Sequence, residues 1–247
     1  MERAEYQVMA AVEGNHWWYG GMRAISASML DLAYAGRRDL QILDAGCGSG
    51  GNIQFLQRYG SVVGIDLAAE ALALAQPKVG GCLARASVLA LPCADARFDL
   101  ITSFEVLYHR AVSDDQQALR EARRALKPGG RLLIRLPAYK FLLRQHDSNV
   151  HTLRRYTAGQ VRALLQASGY IVERCTYLNS LLFPLALAQK LAEYVLPARE
   201  QADSDMELPS AVANELLRWP LAAEAAWIAN GRSFPFGLSI LCLARRI

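Results

Sequence analysis

Residues 40–51 read Leu-Gln-Ile-Leu-Asp-Ala-Gly-Cys-Gly-Ser-Gly-Gly, and this string restricts the fold more than any other stretch of the chain. The apolar run from Leu40 to Leu43 predicts a buried strand. Gly46, Gly48 and Gly50 follow at alternate positions, and a helical pattern starts at about Asn52 and runs to Tyr59. Strand, glycine turn and helix start form a nucleotide-binding unit. Glycine takes positive φ without penalty, and its missing side chain lets a ligand approach the main chain.

Two cofactor classes use such a turn. Gly46, Gly48 and Gly51 satisfy the G-x-G-x-x-G spacing of dinucleotide binding. The next apolar run, Ser61 to Ile65, predicts a second strand that ends at Asp66. A carboxylate at that point can accept hydrogen bonds from both hydroxyls of a ribose. The plainer alternative is a turn that only tightens a strand-to-helix corner.

From Ser61 onward strand and helix patterns alternate, which predicts a doubly wound α/β sheet. Ala68 to Gln76 is helical and stopped by Pro77. Gly81 to Ala86 is a third strand and Phe98 to Ser103 a fourth. Asp114 to Leu126 is a helix with basic residues in its last turns, which suits the helix dipole. Lys127-Pro128-Gly129-Gly130 makes a turn into a fifth strand, Leu132 to Leu136. Thr157 is a good N-cap for a helix from Ala158 to Ser168. Residues 169–177 and 237–244 complete the strands, and residues 25–34 have the spacing of a helix that precedes the sheet.

The 247 residues suit one large domain, and 53% hydrophobic content supplies a sizeable core. The net charge of +4 comes from scattered arginines, so no basic stripe for nucleic acid is present. Five cysteines without a C-x-x-C pair fit a reducing compartment, hence a cytoplasmic location. Met1 to Glu13 is charged and lacks the apolar core of a signal peptide, and no run reaches the length of a membrane span.

The string Asp44-Ala45-Gly46-Cys47-Gly48-Ser49-Gly50 resembles motif I of the class I S-adenosylmethionine (SAM) methyltransferases. That resemblance implies a Rossmann-like, seven-stranded, mostly parallel sheet with helices on both faces and an antiparallel seventh strand between the fifth and sixth. It implies SAM as cofactor, S-adenosylhomocysteine as product, and cofactor contacts at Asp44, Gly46, Gly48, Gly50, Asp66 and Leu67. Ser87-Val88-Leu89-Ala90-Leu91-Pro92, Phe98-Asp99-Leu100 and Val106-Leu107-Tyr108-His109 resemble the type 11 branch, as does Leu126-Lys127-Pro128-Gly129-Gly130. In that branch an aspartate usually reads the adenine amino group. Here Ser87 stands in its place and accepts a hydrogen bond without a charge, so Val88 and Leu67 take a larger share of the adenine contact. Phe104 ends the fourth strand on the ligand side of the sheet.

His16-Trp17-Trp18-Tyr19-Gly20-Gly21-Met22-Arg23 resembles the N-terminal segment of one bacterial branch of these enzymes, where it closes over SAM. Trp17 and Tyr19 then offer aromatic faces to a sulfonium cation, and Arg23 a bidentate fork to a carboxylate. A hydrophobic clasp for the N-terminal arm is the plainer reading of the same residues, and one segment can serve both ends.

Residues 137–156 hold the densest group of titratable side chains. His146, Asp147, His151, Arg154, Arg155 and Tyr156 resemble the matching segment of the same branch. His146 is the leading candidate base, with His151 and His109 behind it. The alternatives are a loop held by Asp147–arginine pairs and, for His109, a purely structural role. The five-residue gap between His146 and His151 argues against a shared metal.

About sixty residues separate the last two strands, too many for a plain loop. Residues 181–196 and 211–228 are helical, the second interrupted by Pro220. The domain layout is thus a single domain, 1–247, with an N-terminal lid or helix over 1–36 and a helical insertion over 178–236. The insertion is a cap on the core, a dimer face or a substrate cover, and peripheral membrane contact through it is conceivable. The implied reaction is methyl transfer to the oxygen or nitrogen of a small molecule. The alternatives are a SAM-binding scaffold without catalysis and a nicotinamide-dependent oxidoreductase.

Overall fold

The computed structural model describes residues 3–142, 152–195 and 209–247; His146, Asp147, His151 and most of the polar stretch 199–209 lie outside them. Seven strands build one sheet: β1 (Leu40–Ala45), β2 (Gly60–Asp66), β3 (Cys82–Arg85), β4 (Phe98–Phe104), β5 (Leu126–Pro137), β6 (Tyr170–Leu178) and β7 (Ser239–Arg246). Their order is β3-β2-β1-β4-β5-β7-β6. β7 runs antiparallel to β5 and β6, and the other pairs are parallel. This is the doubly wound sheet that the alternating pattern implies. The carboxyl ends of the parallel strands share one edge, where such sheets bind ligands.

The helices are α1 (Arg3–Val12), α2 (Trp17–Tyr34), α3 (Gly51–Leu56), α4 (Ala69–Val79), α5 (Asp115–Ala125), α6 (Ala158–Ala167), α7 (Phe183–Val195) and α8 (Ala211–Ala229). On one face Met22, Ile25 and Leu30 of α2 pack with Leu221, Ala225 and Ile228 of α8 over Ile42, Leu100 and Leu133. On the other face Ala118 and Leu119 of α5 and Val161 and Leu165 of α6 pack over Ile101, Leu132 and Ile134. The middle strands are apolar on both faces because helices cover both. The inserted helix α8 is therefore a layer of the core. Gly21 makes that contact possible, since a Cβ there would stand 2.1 Å from Leu221 Cδ1.

Several elements depart from the sequence-based expectation. The aromatic string opens α2, so that helix starts at Trp17, not near Ile25; the His16 side chain caps it by accepting from Trp18 N at 3.2 Å. The separate helix α1 lies ahead of it. α4 passes Pro77 and ends at Val79, with Gly80 in the left-handed region. Lys78 Nζ bonds Glu13 Oε1 at 2.7 Å and Val79 packs with Cys47 and Ile53, so tertiary contacts offset the amide that proline lacks. Lys127 to Gly130 forms a bulge within β5: Phe98 pairs with Leu126 and Leu100 with Arg131. Thr157 and Gln160 form a capping box at the start of α6.

Candidate cofactor and acceptor site

The turn after β1 takes its shape from three glycines in the left-handed region, Gly46 (φ 91°), Gly48 (54°) and Gly50 (86°). A Cβ on Gly46 would meet Val106 Cγ2 at 2.2 Å, and one on Gly50 would meet Val79 Cγ1 at 2.9 Å. Asp66 braces the turn from the end of β2. Its Oδ2 accepts from Gly48 N and its Oδ1 from Ala68 N, each at 2.9 Å. A carboxylate oxygen has further lone-pair capacity after one such bond, so Asp66 can hold the turn and also receive a hydroxyl.

A cavity of about 760 Å³ opens over this turn. That size suits a small-molecule site, for which roughly 300–1,000 Å³ is usual. Gly46, Gly48, Asp66, Leu67, Ser87 and Val88 line it, as do Phe104 and His109. Trp17, Tyr19 and Arg23 line it from the first turns of α2. Leu67 keeps 49% of its surface exposed, an apolar face where a flat base would lie. Ser87 Oγ accepts from Leu89 N at 3.2 Å and so rigidifies the loop after β3. The residues present fit an adenosine with an amino-acid tail.

Two residues that the sequence groups with the cofactor lie elsewhere. Asp44 is 1% exposed, behind the turn, and is not part of the cavity wall. Its Oδ1 accepts from Thr102 Oγ1 at 2.7 Å. Burial raises its pKa to about 7, with the nearby Asp66 charge adding to the effect. Gly50 likewise shapes the turn from behind, as the residue before α3.

His109 does line the cavity, with Nδ1 accepting from Ala111 N at 3.1 Å. That bond assigns the remaining proton of a neutral ring to Nε2, which makes Nε2 a donor. Arg23 Nη2 donates to Glu13 O at 2.9 Å. Glu13 presses on the glycine turn, since a Cβ on Gly51 would stand 2.3 Å from its Oε2. Met9 of α1 covers Gly48.

The cavity is also lined by Arg155, from the titratable group of residues 137–156, and by groups that the sequence pattern did not single out: Glu105, Arg135, Asn179 and Ser239. Glu105 has φ 59°, a left-handed conformation that is strained for a side chain of this kind. Its Oε1 accepts from Arg135 Nε at 2.9 Å. Burial raises the pKa of Glu105 while Arg135 and Arg155 oppose the rise. One signal for these groups was present: an arginine inside the apolar run Leu132 to Leu136 is out of place unless something uses it.

Residues 43–134 match the family model described as "Methyltransferase domain". Over that stretch the chain is similar to the class I methyltransferases of type 11. The match begins in β1 and ends in β5, so it takes in the glycine turn and Asp66. Enzymes with this domain use SAM. Among curated proteins, the methyltransferase domain is 32% identical over 136 residues to malonyl-[acyl-carrier protein] O-methyltransferase of Enterobacter lignolyticus, covering 53% of each chain. It is 40% identical over 103 residues to demethylmenaquinone methyltransferase of Lactiplantibacillus plantarum, covering 37% of this chain and 43% of that one. The chain spans about half the length, or less, of the curated relatives it matches. A SAM-dependent methyltransferase of Mesorhizobium loti shares the fold with a TM-score of 0.58 at 21% identity, over 95% of this chain and all of that one.

Proposed function

We propose that this chain transfers a methyl group from SAM to an oxygen or nitrogen of a small-molecule acceptor. One observation carries the reading: a single cavity is lined both by the Gly46–Gly48 turn with Asp66, on the β1–β2 side of the sheet, and by Glu105, Arg135 and Asn179, on the β4–β6 side, which gives it two ends. A nucleoside cofactor occupies the first end and leaves the second for another molecule.

SAM supplies a methyl group on a sulfonium, already activated for displacement. The residues of the chain then have three tasks. Gly46, Gly48, Asp66, Leu67, Ser87 and Val88 fix the nucleoside, and Arg23 receives the carboxylate of its tail. Trp17 and Tyr19 cover the sulfonium and keep water out, which strengthens charge contacts within. Phe104 and Glu105, at the end of β4, align the acceptor. Alignment alone contributes several kcal/mol to such a displacement. A base is needed only where the nucleophile arrives protonated; His146 and His151 remain proposals for that role, and Glu105 stands at the acceptor end. His109, with Nδ1 bonded to backbone, serves better as a donor.

The similarity to methyltransferases with acyl-carrier and quinone acceptors supports a small or carrier-bound acceptor. The experiment is transfer of labelled methyl from SAM into fractionated cell extract by the purified chain. Label in a small-molecule fraction is the expected result; no label in any fraction, with cofactor binding intact, would favour a non-catalytic scaffold.

A further inference from the structure

Arg135 is the most anomalous side chain of the cavity. It sits near the carboxyl end of β5, between Ile134 and Leu136, and is 4% exposed. A guanidinium carries five N–H donors in a rigid fork. Among the described residues Arg135 has one hydrogen bond, from Nε to Glu105, and its Nη1 is buried without a partner. Two aromatic rings flank it: the guanidinium carbon lies 5.4 Å from the centroid of Trp18 and 4.8 Å from that of Phe104. Cation–π contacts hold the group but use none of its N–H donors. A buried cation with unclaimed donors is costly unless an acceptor reaches it.

The sheet order says which ligand that acceptor belongs to. The glycine turn follows β1, and Asp66 ends β2 on one side of it; β4 and then β5 lie on the other side. Neighbouring strands are about 4.8 Å apart, so Arg135 stands roughly 10 Å from β1, away from the ribose carboxylate. The surrounding charge agrees. Arg23 and Arg155 line the same cavity as Arg135. Of the carboxylates on the cavity wall, Asp66 holds the glycine turn, Glu13 is bound to Lys78 and Glu105 to Arg135 itself, while Glu5, with Oε2 buried and unpartnered, lies near Tyr19 behind the wall. Asn179 adds a second buried polar atom without a partner, its Oδ1, on the wall at the end of β6. Its backbone is pinned by Glu224 of α8, which accepts from Asn179 N at 2.8 Å.

We infer that Arg135 binds an oxyanion, a carboxylate or a phosphate, carried by the methyl acceptor. This rests on the methyltransferase reading and narrows its substrate class to anionic acceptors. Charge-assisted, bidentate bonds from a fixed guanidinium edge would orient such an acceptor. Glu105, bonded to the same guanidinium, is a like charge beside the incoming anion and so moderates its affinity.

The test is calorimetry on the full chain saturated with S-adenosylhomocysteine, so that the carboxylate of the cofactor is already in place. Benzoate is compared with benzamide, its neutral isostere, and phenyl phosphate distinguishes the two oxyanions. The expected result is that benzoate or phenyl phosphate binds about tenfold or more tightly than benzamide. Arg135→Gln abolishes the difference, and Glu105→Gln enlarges it by removing the competing charge while keeping an acceptor for Arg135 Nε. Equal binding of benzoate, phenyl phosphate and benzamide to the wild type would overturn the inference without any variant. So would an Arg135→Gln protein that loses S-adenosylhomocysteine yet keeps methylthioadenosine, because Arg135 would then read the cofactor tail. Failure of the wild type to bind S-adenosylhomocysteine at all would remove the methyltransferase reading and this inference together.

Discussion

The carboxylate of Asp66 accepts the backbone N–H of Gly48 at 2.9 Å, so the last residue of one strand holds the loop that follows its neighbour. In the proposed role, cofactor grip and loop shape then depend on the same side chain. Asp66→Asn keeps the size but removes one acceptor oxygen and the charge. Charged hydrogen bonds contribute about 1.5–3 kcal/mol each, so the KM for SAM should rise roughly 10- to 100-fold. Steady-state kinetics checks this, with kcat expected to change much less than KM.

Gly46→Ala places a methyl group against Val106 at a φ of 91°. Strain and overpacking together predict a loss of roughly 2–4 kcal/mol in urea unfolding. Val106→Ala added to it should restore the packing share and leave the backbone share. A double variant as unstable as Gly46→Ala alone would contradict that division.

Lys78 Nζ and Glu13 Oε1, 2.7 Å apart, tie the N-terminal arm to α4. The Glu13 side chain is 9% exposed, so Lys78→Ala leaves a mostly buried carboxylate without its cation. About 1–3 kcal/mol of local stability should be lost. Hydrogen exchange should speed up over residues 3–12, and the KM for SAM should rise several-fold if the arm covers the cofactor. Unchanged exchange there would separate the arm from the ion pair.

Asp44 binds a proton more tightly in the folded protein, near pH 7, than an unfolded carboxyl does near its ordinary value of 3.8. Its contribution to stability is thus full below about pH 4 and is lost as pH rises through 7. The difference is on the order of 4 kcal/mol. Asp44→Asn accepts the Thr102 hydroxyl without titrating. Urea midpoints should therefore fall between pH 4 and 8 in the wild type and stay nearly level in the variant.

Local pattern disclosed the parts of the fold that depend on it. The strand of residues 40–45, its glycine turn and the carboxylate at Asp66 follow from apolar runs and punctuation alone. So does the start of α6, where Thr157 and Gln160 satisfy each other. Pro77 misled because a helix end anchored by Lys78 and Val79 is a tertiary fact. α8 packs on α2 through Gly21 and Leu221, some two hundred residues apart, and no periodicity announces such a contact. The same holds for the Glu105–Arg135 part of the cavity wall. Arg135 and Glu105 meet only because β4 and β5 are neighbours in register, with Phe104 beside Arg135. Asp44 shows the converse: a motif position reads as a ligand contact, yet the strand turns its side chain into the core.

The central claim is that the Gly46–Gly48 turn and Asp66 hold the nucleoside of SAM. The most direct measurement is calorimetric titration of S-adenosylhomocysteine and, separately, NADH into the wild type and Asp66→Ala. Saturable binding of S-adenosylhomocysteine alone, weakened at least about tenfold by the substitution, is the predicted result. Binding of NADH instead, or equal affinity of both proteins for S-adenosylhomocysteine, would contradict it.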